Sequence, residues 1–132
     1  MAFPVRTLSA ALILAAASGP AFAGPKSKSG SAGSSSTSLA CLPPELRSAL
    51  ADVEQKFGAV TVISTHRPGA VIAGTGRPSQ HRDCGAVDFR PSGNRRAIVA
   101  FLRNDPRVKG LGLYRSGHIH IDAGPYRVTW NK

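Results

Sequence analysis

Four histidines occur in this chain, at positions 66, 81, 118 and 120. Two of them, His118 and His120, are two residues apart in a run of β-formers (His118–Ile119–His120–Ile121), so both imidazoles leave one face of a strand. His81 precedes a short turn at Gly85, and Asp88 lies just beyond that turn, where Ala86, Val87 and Phe89 mark another strand. On that strand Asp88 shares a face with Ala86, and Val87 shares the other with Phe89. Two such strands side by side would bring His81, Asp88 and His120 to one point, with His118 beside them. Two imidazoles, one carboxylate and an open fourth position make up the ligand set of a catalytic Zn²⁺. The same donors also form the facial triad of non-haem iron oxygenases. The wide His81-to-Asp88 gap and the export signal described below favour zinc.

What must position these residues can be read from the rest of the chain. Residues 1–23 have the form of a secretory signal peptide: Arg6, an apolar run from Leu8 to Ala17, and the small-x-small sequence Ala21–Phe22–Ala23. The apolar run is too short to span a bilayer, and no cysteine closely follows the cut to carry a lipid, so no stable membrane anchor is expected. Residues 24–38 are rich in Ser, Gly, Lys and Pro and read as a flexible linker. Residues 39–132 make one small domain, for which a cross-link or a bound metal would be a useful addition to a limited core.

Two cysteines remain, Cys41 and Cys84, and an exported pair is expected to form a disulfide. That bond would tie the segment before the first helix to the His81–Asp88 turn. A competing role for Cys84 as a metal ligand, three residues after His81, leaves Cys41 unexplained.

Within the domain, Pro43–Pro44–Glu45 opens a helix in which Leu46, Leu50, Val53 and Phe57 recur at helical spacing before Gly58. Val60–Ser64 reads as a buried strand, and a Gly-rich loop from Gly69 to Ser79 leads to the His81 turn. Its Gly74–Thr75–Gly76 lacks the setting of a phosphate cradle. Arg90–Pro91–Ser92–Gly93 reads as a turn, and Asn94–Arg103 as a second helix capped by Asn94. Leu111–Tyr114 and His118–Asp122 form a hairpin around Ser116–Gly117, and Arg127–Trp130 adds a short strand or a closing tail. The sum is an α+β domain, a small antiparallel sheet with helices on one side.

The chain has 17 Lys and Arg against 7 Asp and Glu, a net charge of +10; loss of the leader would remove one positive charge, Arg6, and leave +9. Such a field favours anionic polymers such as cell wall. The basic residues are dispersed and no aromatic-rich signature interrupts them, so no nucleic-acid partner is expected.

Taken together, Ser79-x-His81, Gly85-x-x-Asp88, Gly110–Leu111–Gly112–Leu113–Tyr114 and His118-x-His120–Ile121–Asp122 resemble the D-Ala-D-Ala carboxypeptidase-like zinc peptidases of the Hedgehog/D,D-peptidase superfamily. The likeness extends over nearly all of residues 41–130 and is strongest to small exported members acting on murein peptides. It implies His81, Asp88 and His120 as zinc ligands, His118 as the group that assists the water or the oxyanion, and Arg67 as a substrate-positioning residue. Ser79 is implied as a supporting hydroxyl, and a turn or cap role suits it equally. It also implies peptidoglycan or murein peptides as the partner, and the periplasm or cell envelope as the location.

One departure stands out. The carboxypeptidase and dipeptidase branches carry a Glu base just before the last ligand, whereas here those positions are Ser116, Gly117, His118 and Ile119. Glu45 and Glu54, the only glutamates, lie in the first helix. His118 is then the candidate base, with Asp122 or Asp83 next in line. The alternative is a non-catalytic, metal-containing domain that binds cell wall or another polyanion.

Overall fold

The computed structural model describes residues 35–132. The expected leader (1–23) and most of the expected linker (24–34 of 24–38) lie outside the described residues. The elements run α1 (Pro44–Phe57), β1 (Val60–Ser64), a single 3-10 turn (Gln80–Asp83), β2 (Ala86–Pro91), α2 (Arg95–Asn104), β3 (Gly110–Leu113), β4 (Ile119–Asp122) and β5 (Val128–Asn131). Both helices start where their sequence signals place them. Pro44 is at the first turn of α1, and Gly58 ends it at φ 101°, a left-handed backbone open to glycine. The Asn94 side chain caps α2 by accepting from the Ala97 N–H at 3.1 Å.

All five strands form one sheet in the order β1-β2-β4-β3-β5. The first four are antiparallel neighbours, while β5 runs parallel to β3 at the edge. The chain reverses after β4 and passes the end of β3 to reach that edge, so the sheet is mixed where an antiparallel one was expected. The α+β class and the helices on one side hold. β2 also continues through Arg90 and Pro91, which pair with Thr61 and Val60, so the expected turn begins only at Ser92.

Strand alternation divides the sheet into two chemistries. Val87, Phe89, Leu111, Leu113, Ile119 and Ile121 face the helices and join Leu46, Leu50, Val53, Ile98 and Leu102 in the hydrophobic core. Burying such side chains stabilises the fold by roughly 1.5–3 kcal/mol each. The opposite face carries polar groups. A single register row there crosses every strand: Ser64 on β1, Asp88 on β2, His120 on β4, Gly112 on β3 and Trp130 on β5.

A β-bulge between Val62 and Ser64 sets the first member of that row. Without the extra residue, Ile63 rather than Ser64 would stand opposite Asp88. Cys41 and Cys84 are joined as a disulfide with Cα atoms 5.9 Å apart. Among the described residues no helix is long and apolar enough to cross a membrane.

Candidate metal centre

His81 is held on the 3-10 turn, fully buried. Its Nδ1 meets the Thr65 carbonyl at 2.8 Å. A carbonyl only accepts, so Nδ1 carries a proton and Nε2 is the nitrogen turned toward the cluster, the one able to bind a metal. The turn is fixed at both ends. Ser79 Oγ accepts from the His81 N–H at 3.3 Å, which is the cap role, and Cys84 closes the turn in a left-handed conformation, φ 56°. The disulfide therefore clamps the residue next to the turn that carries His81.

Asp88 and His120 are direct cross-strand partners. The Asp88 Oδ1 lies 2.8 Å from His120 Nδ1 and 3.1 Å from His81 Nε2, and the two ring nitrogens are 3.2 Å apart. Three donors that hold a metal tetrahedrally at 2.0–2.2 Å stand about 3.3–3.6 Å from one another, so the cluster is a slightly contracted ligand set that has only to open by a few tenths of an ångström. Among the described residues, His81, Asp88 and His120 are the group that could hold a metal ion, and all three are buried. The second Asp88 oxygen is engaged elsewhere, accepting from Ser64 Oγ at 3.2 Å with the Arg67 guanidinium at 3.6 Å.

Electrostatics among the three donors follow from this crowding. Burial alone would raise the Asp88 carboxyl, but hydrogen bonds from His120 and His81, with their charge, hold it well below the usual carboxylate range. Burial would likewise lower His120, yet hydrogen bonds to Asp122 and Asp88 and their negative charge shift it upward overall. These donors are thus preformed for a cation.

His118 takes a different place from the three donors. It immediately precedes β4, stacks on Tyr114 with ring centroids 3.9 Å apart, and pairs through Nδ1 with Ser116 Oγ at 2.6 Å. Burial pushes its imidazole pKa down; Asp88 opposes this, while Arg90, His120 and Arg95 add to it. A neutral imidazole near pH 7 is the form a base needs. The remaining histidine, His66, pairs with the Arg82 carbonyl at 3.0 Å and is not part of the cluster.

A cavity of about 490 Å³ opens onto the cluster. His81, His120 and Asp122 form its floor, Arg67 and the Val71–Ala73 loop one set of lining groups, and Tyr114, Val128 and Trp130 another. Val71 and Ile72 are exposed there, an apolar rim on an otherwise basic protein. Tyr114, not His118, lines the cavity, so His118 stands behind an aromatic ring at its edge.

The residues 26–122 match a family model described as Peptidase M15. The chain belongs to the peptidase M15 family. Its members are metal-dependent peptidases, and the His81–Asp88–His120 cluster is where this M15 chain could bind its metal. No curated protein and no solved structure matches the chain.

The spacing in sequence singled out His81, Asp88 and His120, which the fold brings together, but missed their supports. Ser64, the Thr65 carbonyl and Trp130 carried no motif signal, and Tyr114 stood only at the end of the Gly110–Tyr114 motif with no role attached. Asp122 did carry one, because it is two residues after His120 on the same strand face. As a candidate base it is corrected: its carboxylate is already committed to three hydrogen-bond donors, His120 Nε2 and the N–H groups of Gly110 and Gly124. Cys84 is likewise no ligand, since its sulfur is bonded to Cys41.

Proposed function

We propose that this M15 peptidase is an exported zinc enzyme that hydrolyses peptide bonds in peptidoglycan stem peptides or cross-links. The observation that carries the reading is the convergence of His81 Nε2, Asp88 Oδ1 and His120 Nδ1 beneath an open cavity. A bound zinc ion supplies Lewis acidity toward a carbonyl and brings the pKa of water down to about 7. The chain's own residues do the rest. His81, Asp88 and His120 hold the ion. Arg67, exposed at the cavity and within 3.6 Å of Asp88, orients a substrate carbonyl or carboxylate. His118, stacked on cavity-lining Tyr114, takes up the proton released by the attacking water and returns it to the leaving amine.

A wall substrate is supported by the leader-like N-terminus and by the charge of +9 that remains without the leader (+10 less Arg6), which favours an anionic polymer. The small apolar rim at Val71, Ile72 and Ala73 suits short aliphatic side chains. Purified murein fragments incubated with the protein should yield new amines and shorter peptides. Chelator should stop the reaction and zinc restore it. Intact fragments in both arms would sink the enzymatic reading.

A further inference from the structure

Glycines 110 and 112 occupy alternate positions on β3, on the polar face of the sheet beside β4. A Cβ at Gly110 would lie 2.0 Å from Asp122 Oδ2, which no real contact allows. The missing side chain is therefore the space in which the Asp122 carboxylate sits. There it is ringed by donors alone: Oδ1 accepts from the Gly110 N–H at 3.0 Å and the Gly124 N–H at 2.8 Å, and Oδ2 lies 3.0 Å from His120 Nε2.

We propose that Asp122, seated in the gap left by Gly110, is a positioning residue that fixes His120 as the Nε2–H tautomer and aims its Nδ1 at the metal. The inference rests on the metal-binding reading of His81, Asp88 and His120. The argument is one of donor counting. A carboxylate only accepts, so the imidazole hydrogen facing it must be on Nε2. Nδ1 meets Asp88 Oδ1, a second acceptor, and His81 Nε2, so a cation seated among these three atoms takes the place of the Nδ1 hydrogen and leaves a lone pair there, while the Nε2 hydrogen stays with Asp122. Loss of such an outer partner weakens metal binding by about 10–100-fold. Two backbone amides hold Asp122 from the far side, so the carboxylate is itself oriented.

The test measures Zn²⁺ affinity by chelator competition and the imidazole tautomer of the zinc-loaded protein by long-range ¹H–¹⁵N NMR. The wild-type protein should show His120 protonated on Nε2 and bound through Nδ1. Asp122→Asn keeps the volume but brings an amide NH₂. With its oxygen kept by the two backbone N–H groups, that NH₂ faces Nε2 and favours the opposite tautomer. Zinc affinity should fall about 10–100-fold while the thermal midpoint changes little. Gly110→Ala, which alters no polar group, should weaken zinc in the same direction by displacing the carboxylate. If Asp122→Asn lowers the midpoint by unfolding, Gly110→Ala and the wild-type tautomer still decide the matter. Wild-type zinc affinity in folded Asp122→Asn, or a zinc-bound His120 protonated on Nδ1, would overturn the positioning role alone. A wild-type protein that binds no zinc would overturn the metal reading and this role with it.

Discussion

Asp88 and His120 stand opposite each other on β2 and β4, and their facing atoms are 2.8 Å apart. Neighbouring strands force this approach, because cross-strand partners bring their Cβ atoms within about 5.5 Å. The carboxylate–imidazole pair is thus built by sheet register, with His81 added from the 3-10 turn. A site made this way is rigid before any cation arrives, which lowers the ordering cost of binding.

Metal content is the first consequence. Purified protein should carry about one zinc per chain, since there is one three-donor set. His120→Ala removes a donor from the middle of the five-residue row and should abolish zinc retention on dialysis together with hydrolysis. Full activity in a metal-free preparation would end the zinc reading.

His118 should separate cleanly from His120. It is stacked on Tyr114 outside the donor cluster, so His118→Ala should retain zinc and fold normally. Its rate of hydrolysis should drop by about 10²–10⁴-fold, the usual contribution of a general base. Metal analysis and steady-state kinetics on the same sample check both halves. Undiminished turnover would remove His118 from the mechanism and make the cavity-lining Tyr114 the next residue to test.

How much of this was legible beforehand depends on the range of the interactions. Strand alternation around Asp88 and His120 is local, so the shared polar face could be read from spacing alone. The helices were equally legible from Pro44, Gly58 and the Asn94 cap. Register between distant strands is a different matter: nothing local says that Ser64 opposes Asp88, and the bulge that makes it so leaves no motif. The parallel seat of β5 was hidden for the same reason. Arg127–Trp130 reads only as a short strand or a closing tail, and the partner of β5 is decided by how the chain passes β3. Gly110 and Gly112 were visible as part of a motif, but their purpose appears only when Asp122 and Trp130 are seen filling their vacant side-chain volumes.

Acid stability should report on an ion cluster remote from the site. Arg107 hydrogen-bonds buried Asp105 and reaches Asp52 with N···O of 2.6 Å in each case. Arg107 holds the Asp105 carboxyl below its ordinary 3.8, burial working the other way. A carboxyl lowered in the folded state stabilises above its unfolded pKa, and that contribution is lost as pH falls through the folded value. Asp105→Asn should therefore cost about 1–3 kcal/mol near neutrality. The gap in melting temperature from wild type should close as the pH drops below 3.8. A gap that stays constant from pH 7 to 2 would show that the charge contributes nothing.

Covalent linkage of Cys41 and Cys84 should appear as a mass two hydrogens (about 2 Da) below the dithiol form. The bond spans 43 residues in sequence, and closing such a loop stabilises by roughly 4 kcal/mol in the chain-entropy model. Reductant should lower the melting temperature substantially. Because neither sulfur belongs to the donor cluster, zinc should stay bound below that new midpoint. Alkylation of both thiols without prior reduction would show that no bond had formed.

Gly112→Ala tests the far end of the register row. Its Cβ would lie 2.7 Å from two carbons of the Trp130 indole, a ring too stiff to yield without moving as a whole. Trp130 lines the cavity with its ring centroid 5.1 Å from that of His120. Overfilling a packed position of this kind costs about 1–3 kcal/mol, which a folded variant can bear. The displaced indole should reshape the cavity wall, raising KM for murein peptides more than it lowers kcat, while the three donors stay in place and zinc affinity holds. Trp130 is the only tryptophan in the chain, so its emission reads the displacement directly and should shift to longer wavelength as the ring meets water. A variant with unchanged emission and unchanged KM would mean that the indole neither leans on Gly112 in solution nor forms part of the substrate's seat.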